Sequence, residues 1–259
     1  MKNIRERTAL VTGGSRGIGA AICLRLAQEG LAVAVNYRER RGEAEDVADA
    51  INSAGGRAMA VQADVADVAA VKDMVRAVAS ELGHVDILVN NAGIMRAGDL
   101  DRFDANSLEA MRRTNVDGMI HVTQAVADGM KARNWGRIVN LSSIAAHGTS
   151  MAGTTFYAAT KAEVVVLTRR FALDLGPFGI TVNVVAPGYI VTDMVYTGRS
   201  REDADEFLKV MASKAMVRRT GRPEDIASAV AYLVSEDAGF MTAQVMTVDG
   251  GRTDYIVHP

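Results

Sequence analysis

Tyr157 and Lys161, four residues apart, are the pair in this chain best suited to acid–base chemistry. On a helix, residues at this spacing lie one above the other, about 6 Å along the axis. An ammonium at that distance favours the ionised form of a phenol, which makes the tyrosine a candidate proton donor and acceptor. Such pairs also decorate helices that do no chemistry, so the interpretation depends on the partners that the rest of the chain supplies.

The pattern of the chain predicts the elements that would position this pair. Short apolar runs, typical of buried strands, occur at Thr8 to Val11, Ala32 to Asn36, Ala58 to Gln62, Asp86 to Asn90, Arg137 to Leu141, Thr181 to Val185 and Gln244 to Val248. Helical patterns lie between them near 17–29, 42–54, 67–82, 104–133, 157–175 and 223–235. This alternation predicts βαβ units in one α/β domain over residues 1–259, with a mainly parallel sheet and helices on both faces.

Composition excludes several function classes. The 259 residues are 49% hydrophobic with a net charge of -2, which argues against a nucleic-acid binder with its basic stripe. Cys23 is the only cysteine and the four histidines are scattered, so we expect neither a disulfide framework nor a metal site. The N-terminus lacks the apolar region of a signal peptide and no stretch is long enough to span a bilayer, which favours a soluble cytoplasmic protein.

A glycine-rich turn links the first strand to the first helix. Residues 12–19 read T-G-G-S-R-G-I-G. Glycines let the backbone turn tightly and approach a pyrophosphate, whose charge the helix N-terminus favours. The turn therefore predicts a dinucleotide site formed by Gly13, Ser15, Arg16, Gly17, Ile18 and Gly19. The alternative is a glycine-rich connector that binds nothing.

The second strand ends in Asn36, Tyr37 and Arg38, without the carboxylate that an NAD site places on the ribose. Guanidinium groups pair well with phosphate, so Arg38 and Arg16 favour NADP(H) over NAD(H), with Tyr37 beside them. The alternative is that both arginines are exposed and bind nothing.

Two further turns at strand ends would complete the cofactor site. Asp64 would accept a hydrogen bond from the adenine amino group, and Val65 would cover the ring. The turn at Asn91, Ala92 and Gly93 would let backbone lie close to the cofactor. Both segments also suit ordinary turn chemistry.

Together, these motifs resemble the short-chain dehydrogenase/reductase family over nearly the whole chain. The matching signals are T-G-G-S-R-G-I-G at 12–19, N-N-A-G at 90–93, Asn115, Ser143, Y-A-A-T-K at 157–161, P-G at 187–188 and V-D-G-G at 248–251. The resemblance implies a single Rossmann domain with a seven-stranded parallel sheet, in agreement with the seven strand candidates.

The same resemblance implies a catalytic set. Tyr157 would be the general acid for ketone reduction, or the base for alcohol oxidation, and Lys161 would lower its pKa and bind the nicotinamide ribose. Ser143, rather than its neighbour Ser142, would hold the substrate carbonyl. Asn115 would hold a water that connects Lys161 to solvent, or would only bridge helix backbone.

The resemblance also assigns the nicotinamide and substrate ends of the site. Pro187, Gly188, Ile190 and Thr192 would anchor the nicotinamide. Residues 193–219 would form a substrate lid, with pocket candidates at Met194, Val195, Tyr196, Phe207 and Met211. Phe207 and Met211 also fit simple helix packing.

Within the family, the pattern most resembles the bacterial 3-oxoacyl-[acyl-carrier-protein] reductases. Two arginines typical of that group are replaced by Asn134 and Phe178, which weakens the expectation of an acyl carrier protein as partner, although Lys131 and Arg133 are near enough to compensate. The resemblance implies a homotetramer acting on a small carbonyl or alcohol substrate. The alternatives are an NAD-dependent alcohol, sugar or steroid dehydrogenase of this family, and a non-catalytic NADP-binding sensor.

Overall fold

A seven-stranded parallel sheet, in the order β3-β2-β1-β4-β5-β6-β7, forms the centre of the computed structural model. The structure describes residues 7–149, 151–192 and 200–252. The strands are β1 (Thr8–Val11), β2 (Ala32–Tyr37), β3 (Arg57–Gln62), β4 (Val85–Asn90), β5 (Gly136–Leu141), β6 (Ile180–Pro187) and β7 (Val245–Val248).

Eight α-helices within the described residues connect and cover the strands. They are α1 (Gly17–Gln28), α2 (Arg41–Ser53), α3 (Val68–Glu81), α4 (Ala105–Arg112), α5 (Gly118–Ala132), α6 (Thr155–Leu175), α7 (Arg201–Ser213) and α8 (Pro223–Val234). None of these helices is long and apolar enough to span a membrane.

The central strands are buried on both faces because helices pack against each face. Every residue of β1, β2, β4, β5 and β6 is buried. Side chains alternate along a strand, so Ala9 and Val11 join one apolar cluster, whereas Leu10 joins the cluster on the opposite face. This two-sided burial explains why these strands appear in the sequence as continuous apolar runs.

The strand order places the functional end of the domain. The chain moves outward from β1 to β3, then returns to place β4 on the other side of β1. In an open parallel sheet, this reversal leaves a crevice outside the carboxyl ends of the strands, where ligands bind. The predicted single α/β domain with a parallel, seven-stranded sheet is confirmed.

One predicted helix is interrupted. The segment 104–133 forms α4 and α5 joined by a π-helical turn at Arg113–Asp117. Asn115, in this turn, accepts a hydrogen bond from Ile94 N at 2.8 Å and donates one to Ile94 O at 3.0 Å. The sequence pattern predicted one continuous helix and missed this break.

A buried asparagine fixes irregular backbone beside the amino end of β7. Asn183 on β6 is fully buried; its amide donates to Met241 O at 2.8 Å and its carbonyl accepts from Gln244 N at 3.1 Å. A side-chain amide carries both a donor and an acceptor, so it can hold a segment that does not follow the ladder. Asn183 thereby sets the approach of the chain to β7.

We predict that Asn183→Ala lowers the free energy of unfolding by about 3 kcal/mol, because it removes a fully buried side chain together with its hydrogen bonds to Met241 O and Gln244 N. Urea denaturation followed by circular dichroism measures this loss. Thr181→Val on the same strand is the matched control. The Thr181 hydroxyl is buried without a hydrogen-bond partner among the described residues, so its removal should leave stability unchanged or higher. Equal losses in both variants would contradict the assignment.

Candidate active site

A cleft of about 660 Å³ lies at the carboxyl ends of the strands, a volume typical of sites for small molecules and cofactors. It brings together every predicted catalytic and cofactor-binding residue except Asn115. These residues are Gly13, Ser15, Arg16, Gly17, Ile18, Gly19, Tyr37, Arg38, Asp64, Val65, Asn91, Ala92, Gly93, Ser143, Tyr157, Lys161, Pro187, Gly188, Ile190 and Thr192.

Two asparagines hold the glycine-rich turn in shape. The side-chain oxygen of Asn36 accepts a hydrogen bond from Gly13 N at 3.2 Å. The Asn91 amide donates to Thr12 O at 3.0 Å and to Gly13 O at 2.9 Å. A Cβ at Gly19 would lie 2.2 Å from Gly13 O, so only glycine fits there. The turn is thus rigid before any ligand binds.

The glycine-rich turn presents free backbone donors to the cleft. Helix α1 begins here, and no side chain caps its N-terminus. Its first N–H groups therefore suit an anion such as a pyrophosphate. On the other side of the turn, Cys23 Sγ lies 4.0 Å from Gly14 O, and burial raises the pKa of this thiol.

Arginines and carboxylates mix at the end of the cleft formed by β2 and β3. Arg38 pairs with Glu39 at 2.7 Å and lies 4.0 Å from Asp64. Arg16 is exposed. Arg40 also lines the cleft and pairs with Glu43 at 2.5 Å. The predicted phosphate-binding arginines therefore share this end with a competing carboxylate, Glu39.

Lys161 is buried at the floor of the cleft, with 4% of its surface exposed. Its Nζ donates to Leu141 O, at the end of β5, at 2.8 Å. Burial lowers the pKa of Lys161 from 10.5 to about 8. In addition, Ser142 Oγ donates to Lys161 O at 2.8 Å. The side chain of Lys161 is therefore bonded to Leu141 at the end of β5, and its backbone carbonyl is bonded to Ser142, the next residue.

Tyr157 lies above Lys161, whose Nζ is 5.8 Å from the centre of the phenol ring. Burial raises the pKa of Tyr157, and a hydrogen bond with Ser143 opposes the rise. Lys161 is not among the causes of this shift, and its Nζ donates to Leu141 O. The lowering of the Tyr157 pKa by Lys161 stays a prediction. Ser143 faces the phenol, whereas Ser142 points away from it to the backbone of α6.

Asn115 lies beside the cleft rather than in its wall. Its amide also donates to Thr160 Oγ1 at 3.1 Å, in addition to its two bonds with Ile94. The side chain therefore joins the π-helical turn to α6 and to the segment after β4. This geometry matches the bridging alternative for the side chain, and the water relay stays a prediction.

The segment 187–192 forms the opposite wall. Gly221 N donates to Tyr189 O and Val191 N donates to Gly221 O, both at 2.9 Å. Backbone groups alternate in direction along an extended segment, so the Ile190 amide points away from Gly221. The Tyr189 ring meets Phe207 of α7 edge to face, with 5.2 Å between centres, and both line the cleft.

The predicted lid is described only from residue 200 onward; its pocket candidates Met194, Val195 and Tyr196 lie outside the described residues. Of the other two candidates, Phe207 lines the cleft, whereas Met211 is buried in packing. Within the described residues, no cluster of side chains suits a metal ion.

Comparison with known proteins identifies the family. The family model described as enoyl-(acyl carrier protein) reductase matches residues 13–253. The chain is 42% identical over 247 residues to the 3-oxoacyl-[acyl-carrier-protein] reductase of Staphylococcus aureus, covering 95% of this chain and 97% of that protein. The protein belongs to the short-chain dehydrogenase/reductase family. It is therefore an oxidoreductase that acts on CH–OH and C=O groups.

Two solved structures of this family are closely similar. A short-chain dehydrogenase/reductase from Serratia marcescens is 41% identical with a TM-score of 0.86, covering 95% of this chain and 97% of that one. A short chain dehydrogenase from Burkholderia cenocepacia, solved in complex with NADP, is 40% identical with a TM-score of 0.85, covering 96% and 99%.

The basic residues near the expected carrier-protein face are engaged within the chain. Arg133 donates to Asp86 at 3.1 Å and to Val85 O at 2.8 Å. Lys131 lies 3.6 Å from Asp128, and its Nζ is 5.7 Å from the centre of the Phe178 ring. These contacts reduce the capacity of both residues to compensate for the two replaced arginines.

We predict that burial of Lys161 makes the stability of this short-chain dehydrogenase/reductase depend on pH. The folded pKa, about 8, lies below the ordinary value of 10.5. Between these values the unfolded chain binds more protons, so the free energy of unfolding rises with pH, by about 3 kcal/mol. Lys161→Met should lack this rise, because the variant has no group to titrate.

Urea denaturation of the cofactor-free protein, from about pH 7 to about pH 10, tests this prediction. The exposed Lys72→Met on α3 is the control and should keep the wild-type pH profile. Parallel profiles for wild type and Lys161→Met would refute it.

Proposed function

We propose that this protein is an NADP(H)-dependent oxidoreductase that interconverts a ketone, either a 3-oxoacyl group or a related carbonyl, with a secondary alcohol. The observation that carries the proposal is the group formed by Ser143, Tyr157 and Lys161 at the floor of the cleft. In this proposal Tyr157 is the general acid and base.

The residues present fit a dinucleotide cofactor. The uncapped start of α1 and the glycine-rich turn suit its pyrophosphate, and Arg16 and Arg38 suit a 2′-phosphate. The adenosine would be held by Tyr37, Asp64 and Val65. The turn from Asn91 to Gly93 would lie behind the cofactor, and the segment from Pro187 to Thr192 would contact its nicotinamide. Once bound, the cofactor supplies the hydride.

The protonation state of Tyr157 suits reduction. Because burial raises its pKa, the phenol is protonated at neutral pH and can donate a proton to a carbonyl oxygen. Ser143 lies beside the phenol and would hold that oxygen through a hydrogen bond. In the reverse direction the phenolate is needed, so alcohol oxidation should increase with pH. Lys161 is well placed to replace the proton lost, because burial brings its pKa to about 8.

We predict that Tyr157→Phe lowers kcat for ketone reduction by about 1,000-fold, because the ring remains and only the proton donor is lost. NADPH fluorescence titration should give an affinity close to that of wild type. Steady-state oxidation of NADPH, read by absorbance, measures turnover. A variant that retains turnover would remove Tyr157 from the mechanism.

We predict that Arg38→Asp weakens NADPH binding by at least about 30-fold and NADH binding by less than about threefold, because only NADPH carries the 2′-phosphate. Glu39→Gln is the matched variant with the opposite expectation. It removes the carboxylate that pairs with Arg38, so NADPH should bind more tightly. Fluorescence titration with both cofactors measures these changes, and equal effects of Arg38→Asp on both would refute the phosphate role.

A non-catalytic NADP-binding sensor is the rival proposal. A panel of ketones and 3-oxoacyl thioesters separates the two, since a sensor binds NADPH without oxidising it. Thioesters of coenzyme A and of an acyl carrier protein belong in the same panel, because Arg133 is paired with Asp86 and recognition of an acidic carrier therefore needs its own test.

We also propose a homotetramer in which α6 packs against a partner subunit. Val166 and Leu173 on this helix are 57% and 61% exposed, more than an apolar helix face normally shows to water. Phe103, just before α4, is 55% exposed and contacts Phe156 at the start of α6. Sedimentation analysis would test this state.

A further inference from the structure

His121, near the start of α5, contacts the segment that follows β3. Its Nδ1 lies 3.1 Å from Val65 O, and the two residues are 56 positions apart in the sequence. A carbonyl oxygen can only accept a hydrogen bond, so Nδ1 carries the proton and donates to Val65 O. Val65 also lines the active-site cleft. The bond therefore joins α5 to a wall of the cleft.

The segment after β3, residues 63–66, lies at the edge of the sheet. Within the described sheet, β3 pairs with β2 alone. Ala63 is held on that side, because its N–H donates to Tyr37 O at 2.9 Å and its carbonyl accepts from the Asn36 amide at 3.1 Å. Val65, two residues further on, has left the ladder of strand hydrogen bonds, and α5 supports it instead.

Helix α5 packs directly against Val65. A Cβ at Gly118 would lie 2.5 Å from Val65 Cγ2 and 3.0 Å from Val65 Cβ, so no side chain fits between the helix and the segment. Gly118 and His121 are three residues apart and share one face of α5. The glycine lets the helix approach, and the histidine supplies the donor for the carbonyl. Val65 is thus held through both its side chain and its backbone.

Helix α5 is also fixed to the other end of the site. It begins directly after the π-helical turn, where the Asn115 amide donates to Thr160 Oγ1 of α6 at 3.1 Å. Thr160 precedes Lys161 on the helix that also carries Tyr157. Helix α5 therefore connects Val65 to the residues at the floor of the cleft. A dinucleotide reaches across both ends of such a cleft, and a site that is already ordered binds it at a lower entropic cost.

We propose that His121 is a positioning residue for the cofactor: by donating to Val65 O, it holds the segment 63–66 in the conformation that receives the adenosine. The assignment rests on the proposed function, in which Asp64 and Val65 hold the adenosine. His121 does not line the described cleft, so it acts through Val65 and does not touch the cofactor. Loss of the bond frees the segment, and cofactor binding must then order it. The cost falls on the adenosine half of the cofactor.

Two variants of His121 test the hydrogen bond. His121→Leu removes the donor and keeps a branched side chain, so the dissociation constant of NADPH should rise about tenfold. His121→Asn keeps an N–H group one bond beyond Cγ, as in histidine, and should stay within about threefold of wild type. Fluorescence titration with NADPH measures both. A wild-type affinity in His121→Leu, or equal losses in the two variants, overturns the proposal.

Fragments of the cofactor separate a positioning role from a general loss of structure. Adenosine 2′,5′-bisphosphate carries only the adenosine half, and reduced nicotinamide mononucleotide carries only the other half. In His121→Leu, calorimetry should show about tenfold weaker binding of the first fragment. Fluorescence titration should show an unchanged affinity for the second. Equal weakening of both fragments would mean that the whole site has lost its shape, and would also overturn the proposal.

Gln124→Leu is the matched control, because it places a leucine at an exposed position on the same helix. Its affinity for NADPH should equal that of wild type. If Gln124→Leu weakens NADPH binding as much as His121→Leu does, the effect comes from the helix rather than from the bond to Val65, and the assignment is wrong.

The role of His121 and the proposed function fail in different ways. Absence of NADPH oxidation with every carbonyl would refute the proposed reaction only, since the measurements on His121 are all of binding. A wild-type NADPH affinity in His121→Leu would refute the role of His121 only. A wild-type protein that binds no NADPH would refute both.

Discussion

The hydrogen bond from Lys161 Nζ to Leu141 O is the contact on which the geometry of the site depends. It connects α6, which carries Tyr157, to the end of β5, and Ser142 reinforces it by donating to Lys161 O. Burying an ammonium group is costly, and the lowered pKa of Lys161 expresses that cost. In return, the hydrogen bonds of Lys161 hold α6 against the end of β5, and this places Tyr157 next to Ser143.

The rest of the cleft is held by side-chain amides rather than by charges. Asn36 and Asn91 fix the glycine-rich turn, and Asn115 fixes the π-helical turn beside the cleft. Each amide replaces a backbone hydrogen bond where the chain leaves a strand or helix. Neutral groups can do this near a dinucleotide without altering the local field, which leaves the arginines and the helix terminus to attract the phosphates.

Most of the sheet follows from the sequence, because continuous apolar runs have few alternatives to a strand buried on both faces. The predicted strand ends differ from the observed ones by at most two residues, since hydrogen bonding at the ends depends on neighbours. The break at Arg113–Asp117 was not predicted, because the hydrogen bonds of Asn115 with Ile94 join segments that are distant in sequence. Most of the predicted site residues share one cleft because glycine and proline positions mark where the strands end.

Two features of the site depend on contacts between distant segments and had no local signal. The pKa of Tyr157 is set by burial and by Ser143, which only the fold reveals. His121 holds Val65 across 56 positions of sequence because α5 packs against the segment after β3. Arg38 and Glu39 are adjacent in sequence, but only the fold shows that they pair and that both line the same end of the cleft.

The sole cysteine is packed against the reverse side of the glycine-rich turn. Cys23 Sγ would lie 2.9 Å from a Cβ at Gly14, so the thiol and the turn share one surface. Cys23 is fully buried, so a reagent can reach this sulfur only when the fold opens locally. The rate at which a thiol-specific dye labels the native protein therefore reports how often the fold opens around Cys23. A dinucleotide bound at the glycine-rich turn should slow that labelling. Cys23 thus provides an internal probe of local opening beside the glycine-rich turn.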